Sequence, residues 1–191
     1  SSFFKKLWIF SFMVVKSWCM KKDSKIGIVG YGVEGRSTHD YLKKQGFLNI
    51  TILDENETLE CDEKCILGEK IWECLNDFDV LFRSPGIHPR RVLKTFQGKL
   101  SSHMEFFFEK CPVPIISITG TKGKGTTSSL TQKMIEESGK KCFLGGNIGM
   151  PPLDFLDEIQ ANDYVVLEVS SFQAMTFKQS PHIAVILMVT S

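Results

Sequence analysis

Neither sign of charge dominates this chain: 23 Lys and Arg stand against 22 Asp and Glu, a formal net charge of +1 over 191 residues. That balance lacks the basic footprint of a nucleic-acid binder and gives no reason to expect a strongly acidic partner. A long hydrophobic run is also missing. The nearest approach, Phe3 to Val15, reads FFKKLWIFSFMVV and is too short for a membrane span. Lys16-Ser17-Trp18-Cys19 then fails to offer the small-x-small pattern of signal cleavage. Cysteine is sparse: Cys19, Cys61, Cys65, Cys74, Cys111 and Cys142 are scattered, and no second pair or histidine follows Cys61 and Cys65 at zinc spacing. Reduced thiols fit this pattern better than a disulfide framework or a metal site. What remains, 42% hydrophobic and 24% charged residues, is the make-up of an ordinary globular chain of one or two domains.

The two ends read differently from the middle. Met20 precedes Lys21-Lys22-Asp23-Ser24 and a clean strand pattern, so a natural start near Met20 is expected, with residues 1–19 as upstream or vector-derived sequence. A membrane-surface anchor is the alternative for those residues. His182 to Thr190 is an almost unbroken strand pattern with only Ser191 after it, which reads as a truncated reading frame.

The centre of the chain is Ile118-Thr119-Gly120-Thr121-Lys122-Gly123-Lys124-Gly125-Thr126-Thr127. An apolar run from Val113 to Ile118 leads in, and a helix-compatible stretch from Ser128 to Glu137 leads out. Strand, glycine-rich loop and helix are the context of a phosphate-binding loop. Glycines let backbone N–H groups turn toward an anion, and the helix start adds unpaired N–H groups. Lys124 can reach the β- and γ-phosphates of a nucleotide. The usual pattern has Ser or Thr directly after the lysine; here Gly125 stands there, and Thr126 or Thr127 would supply the hydroxyl that holds Mg²⁺.

A second nucleotide signature precedes it. Lys25 to Gly30 reads as a strand, Gly30-Tyr31-Gly32-Val33-Glu34-Gly35 as a glycine-rich turn, Arg36 to Gln45 as a helix, and Ile50 to Leu53 as a second strand closed by Asp54. This is a βαβ unit with G-x-G-x-x-G at the first turn and an acid after the second strand. The pattern does not separate NAD from another nucleotide. Cys61 to Asp77 predicts a weak strand plus a short helix, and Asp79 to Arg83 another strand, ending in Ser84-Pro85-Gly86-Ile87-His88-Pro89 at a sheet's ligand-binding edge. His88 is read as structural or solvent-facing. Ser102 to Lys110 predicts a helix whose Phe106-Phe107-Phe108 packs in the core. Cys111-Pro112-Val113-Pro114 breaks the pattern and sets a domain boundary.

Beyond the phosphate loop, Lys141 to Leu144 reads as a strand before Gly145-Gly146-Asn147-Ile148-Gly149. That run is either a close approach to ligand or a plain loop. Pro151 to Ile159 predicts a short helix, and Asp163 to Val169 a buried strand carrying Glu168 near its end. An acid there is rarely buried without a partner, so Glu168 is either a ligand of Mg²⁺ or its water, or half of a buried ion pair.

Together these stretches resemble the Mur ligases of peptidoglycan synthesis. The resemblance rests on Gly30 to Ser37, Ser84 to Ile87, the phosphate loop, Gly145 to Gly149 and, most specifically, Leu167-Glu168-Val169-Ser170-Ser171-Phe172-Gln173. It covers about residues 24–191. It implies an α/β architecture: a Rossmann-like N-terminal domain at 24–111, then a partial P-loop ATPase-like central domain at 112–191, with the family's C-terminal domain absent. The activity implied is ATP-dependent addition of D-glutamate to UDP-N-acetylmuramoyl-L-alanine through an acyl phosphate, by a cytoplasmic monomer that uses Mg²⁺. Carried over, Lys124 and the backbone of Gly120, Thr121, Lys122, Gly123, Gly125, Thr126 and Thr127 would bind ATP phosphates. Lys124 and Glu168 would be catalytic, with Thr126 and Glu168 at the metal. Gly32, Val33, Glu34, Gly35, Asp54, Ser84, Pro85 and Gly86 would line the UDP pocket, while Asn147 and Ser170 would touch the muramoyl part. Lys122 stands where Mur ligases commonly have Asn, and the Gly-Lys-Gly-Thr form also resembles folylpolyglutamate synthases. Two other readings compete: an NAD-dependent oxidoreductase built on the first domain, and a non-catalytic nucleotide-binding remnant. A simple dehydrogenase has no use for the second loop at Gly120.

Overall fold

The computed structural model describes residues 20–190, and the leader expected at residues 1–19 lies outside them. Two parallel sheets follow one another along the chain. The first contains β1 (Ile26–Val29), β2 (Ile50–Asp54), β3 (Cys65–Leu67), β4 (Val80–Arg83) and β5 (Lys99–Ser101), in the order β3-β2-β1-β4-β5. The second contains β6 (Ile115–Thr119), β7 (Cys142–Gly146), β8 (Tyr164–Glu168) and β9 (Ile183–Ile186), in the order β7-β8-β6-β9. Every pairing is parallel among the described residues. Strands of such sheets are covered on both faces and therefore read as continuous apolar runs, as IGIV of β1 does.

The order of the first sheet reverses between β1 and β4, which opens a crevice at their carboxyl ends. In the second sheet β6 lies beside β8, with Ile118 opposite Glu168, so the loop that leaves β6 passes the end of β8. The helices are α1 (Val33–Lys44), α2 (Pro89–Leu93), α3 (His103–Lys110), α4 (Lys124–Glu137), α5 (Pro152–Phe155) and α6 (Ser171–Ala174).

One hydrophobic cluster crosses from sheet to sheet. It joins Ile28 and Phe82 of the first to Val165 and Leu167 of the second, and to Phe155 on α5, through Phe106, Phe107 and Phe108 on α3. Phe106 meets Phe82 edge-on at 5.4 Å, Phe107 meets Phe155 at 5.6 Å, and Phe108 meets Phe177 at 4.9 Å. Three consecutive phenylalanines cannot share one helix face. They are all buried because α3 is wedged between the two sheets.

Two helices start earlier than the residue pattern predicts. Helix α1 begins at Val33 rather than Arg36, and α4 at Lys124 rather than Ser128. Both starts fall inside glycine-rich motifs, whose low helix propensity matters little in a first turn anchored by the strand before it. Helix α2 and strand β5 occupy 89–101, where the pattern predicts no element. Pro89 pre-sets the first turn of α2, and His88 caps it by accepting from the Arg90 amide at 3.2 Å, which is its structural role. The last strand stops at Ile186, four residues short of the apolar run.

Candidate active site

The crevice at the end of the first sheet is a cavity of about 640 Å³. Gly32, Val33, Glu34, Asp54, Ser84, Pro85, Gly86 and Asn147 line it, as do Tyr31, Glu55 and Ile87. Gly35 and Ser170 are not part of this lining. Gly35 instead packs in the first turn of α1, where a Cβ would come within 2.2 Å of the Gly30 carbonyl. Gly30 itself has φ +91°, and Ser84 Oγ donates to its carbonyl at 2.8 Å, which locks the two ligand-side turns together.

Asp54 is engaged by backbone. Its carboxylate accepts from the amides of Tyr31 at 2.6 Å and Asn56 at 2.9 Å. It therefore fixes the glycine-rich turn from the end of β2. Glu55, beside it, is held by Arg91, which lies 4.0 Å over the Trp72 ring.

The second centre is the phosphate loop. Gly123 has φ +84° and opens α4, so Lys124 is the first helical residue. Its ammonium donates back to the Gly120 carbonyl at 2.9 Å. The Thr121 amide is not free: it donates to Met188 at 2.8 Å, and the Thr121 hydroxyl accepts from the Thr190 amide at 3.1 Å. Glu168, 3% exposed, lies against the first turn of α4. A Cβ on Gly125 would come within 3.3 Å of Glu168 Oε2, which places the acid against this turn. Glu168 Oε1 accepts from Asn147 Nδ2 at 2.8 Å.

The glycines around Asn147 serve the protein's own backbone. Gly146, at φ +102°, approaches the Glu168 carbonyl so closely that a Cβ would sit 2.1 Å away, and the Asn147 amide donates to that carbonyl at 2.9 Å. The loop thus delivers Asn147 to both the cavity and Glu168. For a divalent cation Glu168 offers a hard carboxylate oxygen against the turn of α4 that carries Thr126 and Thr127. No group of three or more His, Cys, Asp or Glu side chains suited to a metal exists among the described residues. One carboxylate with hydroxyls and nucleotide phosphates is a set that suits Mg²⁺, which seldom uses an all-protein cage.

Between the centres lies a network that the residue pattern did not disclose. Arg83, at the end of β4, is 1% exposed. One terminal nitrogen donates to the carbonyls of Ser84 (3.0 Å) and Ile87 (2.6 Å), and the other to the Phe172 carbonyl at 3.2 Å. Glu34 accepts from Gln173 Nε2. Burial pushes the Glu34 carboxyl above the usual carboxylate range, against the Gln173 hydrogen bond and the Arg83 charge, which pull it down. Gln173 in turn closes a capping box with Ser170: the Ser170 hydroxyl accepts from the Gln173 amide at 3.2 Å, and Gln173 Oε1 accepts from the Ser170 amide at 2.8 Å. Ser170 is therefore the cap of α6. The reasoning that singles out Glu168, a charge ending a buried strand, applies equally to Arg83 and is the signal that would have found it.

Two parallel sheets joined by a packed helix, with a cavity at the carboxyl edge of one and a glycine-rich strand–loop–helix turn on the other, define an α/β scaffold of the nucleotide-binding type. Residues 118–191 match the Mur ligase middle domain, and most of the chain is similar to the ligases that follow. It is 40% identical over 183 residues to the UDP-N-acetylmuramoylalanine--D-glutamate ligase of Acetivibrio thermocellus, covering 88% of this chain and 39% of that protein. The ligase of the same name from Ruminiclostridium cellulolyticum is 38% identical, covering 86% and 38%, and that of Clostridium kluyveri 37%, covering 88% and 40%. The chain thus spans about two-fifths of the length of these relatives. A solved pseudomurein peptide ligase type C from Methanothermus fervidus overlays 78% of this chain and 33% of its own, at 21% identity and a TM-score of 0.43.

Proposed function

We propose that this chain carries the UDP-substrate cavity and the ATP phosphate loop of a cytoplasmic ligase that joins D-glutamate to UDP-N-acetylmuramoyl-L-alanine in peptidoglycan synthesis. In this reading residues 24–111 form the substrate unit and residues 112–191 the nucleotide unit. The observation that carries the reading is Asn147. It lines the cavity and donates to Glu168, which lies against the turn of α4 that follows Lys124. A substrate in the cavity therefore ends beside the phosphate loop. The relatives' shared name, a ligase for UDP-N-acetylmuramoylalanine and D-glutamate, supports the same choice.

The chemistry follows from that adjacency. The substrate carboxylate attacks the γ-phosphorus of ATP, the bond to the bridging oxygen breaks, and an acyl phosphate and ADP result. The amine of D-glutamate then attacks the acyl carbon, loses a proton and expels phosphate, leaving an amide. The chain's residues contribute position and charge. Asn147 orients Glu168 at the cavity end. Lys124 and the first-turn amides of α4 offset the charge on the transferring phosphoryl group. Glu168 and Thr126 would hold Mg²⁺, which when bound neutralises phosphate charge. The first turn of α1 and the Ser84-Pro85-Gly86 turn would embrace the UDP part.

The oxidoreductase reading is weakened by Asp54, whose carboxylate is engaged by two backbone amides rather than left for a ribose hydroxyl. Calorimetric titration with UDP-N-acetylmuramoyl-L-alanine, with NAD as control, decides between the two. Binding of the muramoyl nucleotide without NAD is expected; NAD alone would revive the dehydrogenase. Lys124→Ala should lower affinity for a non-hydrolysable ATP analogue by at least about tenfold, while affinity for the muramoyl nucleotide survives. Unchanged analogue binding would remove Lys124 from the assigned role.

A further inference from the structure

The acid at position 34 is out of place for a diphosphate site. It lies in the first turn of the helix that opens the cavity, where an anion's own charge would be repelled. The structure turns it away from that task. Glu34 Oε1 takes the Gln173 amide hydrogen, and Oε2 is buried without a hydrogen-bond partner. Gln173 belongs to α6, whose cap, Ser170, follows Glu168 by two residues. Arg83 runs in parallel, binding the Ser84 to Ile87 turn of the cavity with one nitrogen and the Phe172 carbonyl of α6 with the other.

We infer that Glu34 and Gln173, backed by Arg83, are positioning residues that link filling of the substrate cavity to the set of the β8–α6 corner carrying Glu168. The inference rests on the functional reading above and adds to it a pair of residues with no direct part in phosphoryl transfer. Every link is a part-buried hydrogen bond. These bonds tie the first turn of α1 and the Ser84 to Ile87 turn to α6, which begins just after the strand of Glu168 ends. A ligand that orders the cavity side therefore orders the nucleotide side, and the reverse must hold to the same degree. Proximity alone would not establish this, so the test measures coupling directly.

The experiment is calorimetric titration of the 191-residue chain with UDP-N-acetylmuramoyl-L-alanine, in the absence and presence of Mg²⁺ and a non-hydrolysable ATP analogue. The ratio of the two affinities is the coupling factor, expected near about tenfold for the unmodified protein. Glu34→Ala removes the acceptor, and Gln173→Glu opposes two carboxylates while keeping the capping box, since Glu also serves at that position. Each should bring the factor to within about twofold of one. The exchange E34Q with Q173E restores one donor facing one acceptor in reversed sense, and should recover the factor; Glu34→Gln alone keeps the acceptor oxygen and should retain it. A merely structural role would change both affinities alike and leave the ratio untouched. A full factor in folded Glu34→Ala, or no factor in the unmodified protein that binds both ligands, overturns the inference and leaves the functional reading standing. Failure of the unmodified protein to bind the muramoyl nucleotide overturns that reading, and the inference with it.

Discussion

At the scale of single residues, buried polar side chains carry more of this molecule than its apolar ones reveal. His103 is 2% exposed, and burial pulls its pKa down to about 3. Its neighbours define one neutral form: Nε2 accepts from the Leu153 amide at 3.3 Å, so Nδ1 carries the hydrogen toward Thr38 Oγ1 at 3.0 Å, and Thr38 donates on to the Glu34 carbonyl at 2.7 Å. The unfolded chain binds a proton at this histidine near pH 6.5 and the folded chain does not. Its contribution to stability is therefore complete above pH 6.5 and is lost as the pH falls toward 3, by up to about 1.4 kcal/mol per unit. Urea unfolding between pH 7 and 4 should show this decline. His103→Gln, which can still donate and accept, should flatten it while lowering stability at pH 7. An equally steep decline in the variant would place the acid sensitivity elsewhere.

The elements add a second kind of constraint. Strands β1, β6 and β8 were legible as apolar runs because parallel strands have two buried faces. Strand β9 has the same composition but not the same surroundings. Ile183 and Ile186 are 53% and 71% exposed, on the edge of the second sheet. Met188 and Val189, just beyond it, are exposed too, and Leu130 and Met134 are uncovered on α4. An apolar edge strand with unpaired amides is a template for another strand. The 191-residue chain should self-associate in sedimentation at increasing concentration, and Ile186→Lys should shift it toward monomer. A concentration-independent sedimentation coefficient for the unmodified chain would count against this. The short elements were illegible for another reason. Helix α2, strand β5 and helix α6 have too few residues to show a period, and they exist because His88 and Ser170 cap them and β4 pairs with β5.

Across the whole molecule, the two sheets share one core through α3 and α5. Phe155 stacks on Phe143 at 5.0 Å and meets Phe107 edge-on, while Lys44–Asp157 and Ser37–Asp154 tie α1 to the same region. Heating should give a single calorimetric transition. Phe155→Ala, which costs about 3–5 kcal/mol at a buried phenylalanine, should separate it into two. Two independent transitions in the unmodified chain would show that the shared core does not couple the sheets. The phosphate loop, the first glycine-rich turn, the Ser84-Pro85-Gly86 turn and the acid of β8 were all readable from order and spacing. Their chemistry depends on backbone conformation near the residues themselves, and glycine, proline and a charge after an apolar run mark that conformation locally. What only the tertiary structure decided is who meets whom: Asn147 with Glu168, Glu34 with Gln173, Arg83 with α6. Those partners are separated by 21, 139 and 89 residues. Local spacing holds no record of such contacts: Asn147 meets Glu168 because β7 pairs with β8, and the other two form where the first sheet's end meets α6.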